Sequence, residues 1–100
     1  MPAVCRGDGV DVDVFHCSIP SRLGRSSNVK VNGIGISRQG DNNTIHKKPA
    51  GKGPCIFHSA PIASGSSSVF INGKGCGRIG DSISGCTSVG SGSSNVFAGG

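Results

Sequence analysis

The phrase "SSNVKVNGIGISRQGDNNTIH" at residues 26–46 returns as "SSSVFINGKGCGRIGDSISGC" at residues 66–86, and begins a third time as "SSNVFAGG" at residues 93–100. Aligning the two full copies sets Val29 on Val69, Val31 on Ile71, Asn32-Gly33 on Asn72-Gly73, Arg38 on Arg78, Gly40-Asp41 on Gly80-Asp81 and His46 on Cys86, always forty residues apart. A unit this short cannot bury its own apolar face, so the copies must pack on one another. Within each copy a short alternating run (Val29-Lys30-Val31; Val69-Phe70-Ile71) leads into Asn-Gly and then a second run ending at Gly-Asp. Asn-Gly between two such runs is the strongest short-range signal for a β-hairpin.

The two ends of the chain are complementary halves of the same phrase. "PAVCRGD" at residues 2–8 resembles its second half, "GISRQGD", and "SSNVFAGG" is its first half. If the last strand pairs beside the first, the halves make a third hairpin and the chain closes into a ring of three. Closure also removes exposed edge strands. The predicted fold is therefore all-β: one domain over residues 1–100, a closed ring of β-hairpins with pseudo-threefold symmetry, its ends completing the third repeat. Composition agrees, since there is no Glu, one Leu and five Ala, against nine Val and nine Ile with eighteen Gly. Helix formers are scarce and β-branched residues carry the apolar content. With four Phe and no Trp or Tyr, the core is thin and would benefit from a metal, a disulfide or a partner.

The remaining composition narrows the function. The formal net charge is +5, yet Lys and Arg are spread singly apart from Lys47, Lys48 and Lys52, with no aromatics interleaved to stack bases. Nucleic acid is not the expected partner, and the lysine cluster reads as a solvated loop. The N-terminus lacks a cationic region followed by an apolar one, and no apolar run reaches the ~20 residues of a membrane span. Five cysteines without a Cys-x-x-Cys pair argue for mostly free thiols in a reducing cytosol rather than a disulfide framework.

The segments joining the hairpins, residues 9–25, 42–65 and 82–92, all leave from one end of the ring and should converge on one pole. They carry His16 and Cys17, His46, Cys55 and His58, and Cys86. His46 and Cys86 share a repeat position, five residues after Asp41 and Asp81. His16 stands eight residues after Asp8, which implies a small insertion. Three imidazoles and one thiolate (His16, His46, His58 and Cys86) form a closed tetrahedral set that suits zinc better than iron and leaves no position open for substrate. Cys17 and Cys55 stand as alternative ligands. Cys5 and Cys76 fall in strand phrases and read as small core residues.

Ser-Ser followed by x-V-x-x-N-G-x-x-x-x-R-x-G-D, repeated and split between the termini, resembles the PAAR-repeat proteins. The likeness covers essentially the whole chain and is most specific at residues 28–41, 68–81 and the ending "GSGSSNVFAGG". It departs at the namesake Pro-Ala-Ala-Arg tetrapeptide, which here reads Gly35-Ile36-Ser37-Arg38 and Gly75-Cys76-Gly77-Arg78. "PAVCRGD" is one residue short before Gly7, so the alignment of Arg6 is open. The resemblance implies a structural, non-enzymatic cone that caps the distal end of a trimeric β-helical spike, either a phage central spike or a VgrG-like protein. It would be present in one copy per spike and make transient contact with the target outer membrane during piercing. It also implies zinc held near the tip, on this chain by His16, His46, His58 and Cys86. The phage tail baseplate, and hence the virion, is the nearest setting, and a type VI secretion spike tip is the alternative.

Further expectations attach to single residues. Phe70 and Phe97 are equivalent by repeat and read as core. Arg38 with Asp41, and Arg78 with Asp81, read as surface pairs that shape a turn, worth ~0–1 kcal/mol each. A zinc hydrolase, the rival from another class, would need an open coordination position and a general base. The spare carboxylates are Asp11 and Asp13, whose alternation with Val10, Val12 and Val14 places them on the outer face of a strand.

Overall fold

The computed structural model describes residues 1–15, 17–50 and 53–100, without the side chain of Ala50. Among these residues every regular element is a strand: β1 (Lys30–Val31), β2 (Ile34–Gly35), β3 (His46–Ala50), β4 (Gly53–His58), β5 (Phe70–Ile71) and β6 (Lys74–Gly75). They form three antiparallel hairpins, β1–β2, β3–β4 and β5–β6. The body is elongated, 40 × 23 × 22 Å.

The Asn-Gly turns behave as the sequence predicts. Asn32 and Gly33 have φ of 55° and 78°, and Asn72 and Gly73 have 54° and 79°. Two consecutive left-handed residues make the turn that matches strand twist, and Asn followed by Gly adopts it at least cost. The turn asparagines also bind across to the next repeat. Asn32 Oδ1 accepts from Ser93 Oγ at 2.7 Å and Arg6 Nη1 at 3.3 Å, and Asn72 Oδ1 accepts from Ser26 Oγ at 2.6 Å and Arg38 Nη1 at 3.1 Å.

The termini supply the third hairpin of the ring, beside β1–β2 and β5–β6. Val4 N donates to Val96 O at 3.0 Å, as Ile36 N does to Val29 O (3.1 Å) and Cys76 N to Val69 O (2.9 Å). Around the axis Cys5 N donates to Gly77 O, Gly77 N to Ser37 O and Ser37 N to Cys5 O, at 3.0, 2.9 and 3.0 Å. These three bonds form a closed triangle, which fixes Arg6, Arg38 and Arg78 as equivalents. The first serine of each Ser-Ser pair is buried, and its hydroxyl accepts from the backbone three residues on: Ser26 from Val29, Ser66 from Val69 and Ser93 from Val96.

The core lies in two layers. One is built from two equivalent triples, Val31, Ile71 and Ala98 with Val4, Ile36 and Cys76. The other contains Cys5, Ala60, Ile62, Ile83 and Val89, with Cys86 packed against it. Cys5 and Cys76 are thus core residues, as expected. Burial pushes the Cys5 thiol up to about 12, Arg22 opposing it, and the Cys76 thiol up to about 11.

Several expectations are corrected. Asp8 does not take the place of Asp41 and Asp81. Asp11 does: its Oδ2 accepts from Arg6 N and Nε at 2.7 and 2.8 Å, as Asp41 Oδ2 accepts from Arg38 N and Nε at 2.8 Å each. Asp8 instead meets Arg25 in an exposed pair at 3.0 Å. Burial alone would raise the Asp11 carboxyl, but hydrogen bonds from Arg6 and Ser91 hold it below the ordinary carboxylate value. The Val-Asp alternation is real but faces the other way: Asp11 and Asp13 are buried, and Val10 and Val14 are exposed. The Arg38–Asp41 and Arg78–Asp81 pairs are mostly buried. Phe70 and Phe97 are exposed, since Ile71 and Ala98 next to them enter the core, with Val96 packed against it, and the pleat turns the alternate residue out. Lys47 and Lys48 lie in β3, not in a loop, and Lys52 is outside the described residues.

Candidate metal centre

With Asp11, Asp41 and Asp81 aligned, the register carries on up the connecting segments. Asp13 N, Asn43 N and Ile83 N each donate to a returning strand, at Pro20 O (2.8 Å), Ala60 O (3.1 Å) and Thr87 O (2.8 Å). The segments also pair with one another in a cycle: Val14 N to Ser88 O, Thr44 N to Ser21 O and Ser84 N to Pro61 O, each at 2.8 or 2.9 Å. They converge on one pole.

Three residues beyond Asn43 and Ile83 stand His46 and Cys86. His46 opens β3 and is buried, and His58 closes β4 directly across from it, with ring centroids 4.3 Å apart and planes at 59°. Cys86 follows a tight turn in which Gly85 has φ of 60° and Cys86 N donates to Ile83 O at 3.0 Å. One ligand atom from each of His46, His58 and Cys86 lies within 4.8 Å of the others.

The orientation of His46 follows from one hydrogen bond. Its Nδ1 lies 2.8 Å from Thr44 O, and a carbonyl only accepts, so Nδ1 carries the proton. The Nε2 lone pair is then directed at Cys86 Sγ, 3.2 Å away. Anchoring one ring nitrogen on a carbonyl is the usual way a protein aims the other at a metal. Zinc bonds of about 2.0–2.3 Å at the tetrahedral angle separate neighbouring ligand atoms by about 3.3–3.6 Å. The His46–Cys86 separation is close to this, and two imidazoles and a thiol within 4.8 Å are donors that could hold a metal ion. Burial pushes the Cys86 thiol up and Asp13 adds to this, against the Thr87 N–H, Asn43 and Lys48. A cation in contact with the sulfur is what would hold it as thiolate.

Beneath the site lies a buried polar network the sequence did not suggest. Arg22 is fully buried at the repeat position of Ile62 and Val89, and its Nη1 is 3.0 Å from Asp13 Oδ2. Its Nε donates to Ser37 Oγ at 3.2 Å and its Nη2 to Asp41 O. Asn43 Nδ2 donates to the same Asp13 oxygen at 3.0 Å, and Asn43 Oδ1 accepts from Ala60 N at 2.9 Å. Asp11 and Asp13, the carboxylates considered for a hydrolase base, are thus both engaged in ion pairs.

Of the four residues expected to share a metal, His46, His58 and Cys86 come together, and His16 lies outside the described residues. Cys17 and Cys55 are neither free thiols nor spare ligands. They form a disulfide, with Cα atoms 6.4 Å apart, that ties the first segment to β4. The two are separated by 38 residues, and only the return of the β3–β4 hairpin brings Cys55 back to the first segment, so no local spacing pattern marks the pair.

Compared with curated proteins, the chain has no match. The family profile of the PAAR motif matches residues 22–84, spanning both full copies of the repeat up to the turn before Cys86. The chain accordingly belongs to the PAAR-repeat family, whose members are structural tips on the spikes of contractile injection systems.

Proposed function

We propose that this chain is a metal-locked spike tip: His16, His46, His58 and Cys86 hold one zinc ion at the converging pole, and the opposite end caps a trimeric β-helical spike. The observation that carries the reading is the common register of His46 and Cys86, with His58 across the hairpin and all three ligand atoms within 4.8 Å. His16 stands three residues after Asp13, as His46 does after Asn43 and Cys86 after Ile83. With Asp11 as the aligned carboxylate, the insertion falls between Arg6 and Asp11, and His16 stands five residues after its carboxylate as His46 and Cys86 do.

A piercing point must transmit force without opening. The three segments meet at this pole, and there a metal would join them. Its binding free energy becomes folding free energy, about 10 kcal/mol or more in small zinc domains. The thiolate and imidazoles would serve as ligands only, so the chemistry supplied is cross-linking rather than catalysis.

The other end suits a threefold partner. Lys30, Phe70 and Phe97 are equivalent by strand pairing and all exposed, offering three equivalent positions, two of them aromatic, to three identical spike chains. We assign the machine to a phage tail baseplate, with a type VI apparatus as the alternative. Co-expression with each candidate spike tests the assignment. The expected result is a stable complex of one chain per spike trimer, lost in Phe70→Lys/Phe97→Lys. Absence of a complex with either spike, or a complex indifferent to both substitutions, would refute it.

A further inference from the structure

The β3–β4 hairpin packs against neither of the other hairpins and has two unlike faces. Strand alternation puts His46 and His58 on one face, toward the candidate centre, and Ile45, Lys47, Cys55 and Phe57 on the other. Lys47 Nζ stands 5.4 Å from the Phe57 ring centroid, which confirms their common face. Ile45 and Phe57 are 73% and 69% exposed. The Cys17–Cys55 disulfide fastens the first segment here, and the residues two positions on either side of Cys17, Phe15 and Ile19, are 67% and 63% exposed. Four large apolar side chains thus project from two segments held by one covalent bond. In a chain with so little apolar material to bury, that exposure marks an interaction surface.

Charge identifies the occupant. Beyond Asp13 the three connecting segments contain no Asp or Glu, and this face of the hairpin carries Lys47. Of the five carboxylate side chains, Asp11, Asp13, Asp41 and Asp81 are buried in ion pairs and Asp8 is paired with Arg25. An apolar surface with a cation and no carboxylates matches the boundary between anionic headgroups and acyl chains.

We propose that this face seats in an anionic phospholipid bilayer, with Phe15, Ile19, Ile45 and Phe57 entering the headgroup–acyl boundary while Lys47 meets lipid phosphate. The proposal deepens the spike-tip reading and rests on it for where a membrane is met. It makes the pole a lipid-binding surface in its own right, not only a hard point.

Flotation of the purified full chain with phosphatidylcholine–phosphatidylglycerol vesicles, and with phosphatidylcholine alone, tests it. The chain should float with the anionic vesicles, and excess inorganic phosphate should not release it. Ile45→Ser/Phe57→Ser should weaken binding by about tenfold or more. Lys47→Gln should cost roughly fivefold on anionic vesicles only, the contribution of one cation near such a surface, and Lys48→Gln, on the opposite face, should cost less. Failure to float, or variants that float like the parent, would overturn the proposal. So would a dimer in sedimentation that Phe57→Ser abolishes without any flotation, which would make a second copy the occupant. Spike binding of the same variants separates the two readings. Lipid binding absent with spike binding intact sinks only this proposal, and the reverse sinks only the tip assignment.

Discussion

Replacing Arg22 with Met should be among the most damaging single changes in the chain. The guanidinium is fully buried and joins Asp13 of the first connecting segment to Ser37 and Asp41 of the following repeat. Without it, the Asp13 carboxylate stays buried with Asn43 Nδ2 on one oxygen, while Oδ1 has no hydrogen-bond partner among the described residues. Breaking a buried pair by removing one partner costs about 3–5 kcal/mol, because a charge is left uncompensated. At about 4–8 °C per kcal/mol in a domain this size, a loss of 3 kcal/mol lowers Tm by about 12–24 °C. Adding Asp13→Val removes the stranded charge, and the equivalents of this pair in the third repeat, Val89 and Ile83, are already apolar. The double variant should therefore regain at least about 2 kcal/mol over Arg22→Met alone. It should not reach the parent fully, since Ser37, Asp41 O and Asn43 each lose a bond worth about 1 kcal/mol. Urea melts of the parent, both single variants and the double variant, at matched metal content, give the coupling directly. An Arg22→Met cost below about 1 kcal/mol, or additive single effects, would refute the reasoning.

Three other outcomes follow from the same structure. Gly77→Ala would set a Cβ 2.5 Å from Ser37 O and 2.8 Å from Cys5 Sγ, inside the backbone triangle; overpacking there should cost about 1–3 kcal/mol in a urea melt, and no loss would contradict the triangle. Cys5 has a folded-state pKa raised from 9.0 to about 12, so its contribution is complete below pH 9 and is lost as pH rises toward 12. Between those limits this thiol alone lowers stability by up to about 1.4 kcal/mol per pH unit, on top of the Cys76 thiol raised to about 11, and Cys5→Ala should flatten the decline; an unchanged slope would contradict the burial of Cys5. Finally, the denatured chain should take up three alkyl groups without reductant, on Cys5, Cys76 and Cys86, and five after reduction; five in both cases would contradict the Cys17–Cys55 bond.

The hairpins and the axis were legible because the repeat fixes them twice over, once in the Asn-Gly turns and again in the forty-residue offset. The meeting of His46 with Cys86 followed from the same offset. The first repeat was misread at its carboxylate because Arg6-Gly7-Asp8 imitates the Arg-x-Gly-Asp of the others, whereas the chain inserts residues and uses Asp11. Alternation gives the period of a strand but not which face is buried. Around Asp13 the interior is polar, organised by Arg22, so the usual rule of apolar residues inward pointed the wrong way. The outward position of Phe70 and Phe97 did have a signal, for the equivalent residue in the first repeat is Lys30.

Metal content of the chain purified at neutral pH tests the account most directly. It predicts about one zinc per chain in the parent, and little in Cys86→Ala together with a lower Tm. A folded parent without metal, or a Cys86→Ala variant that keeps its zinc, would contradict the lock at the converging pole.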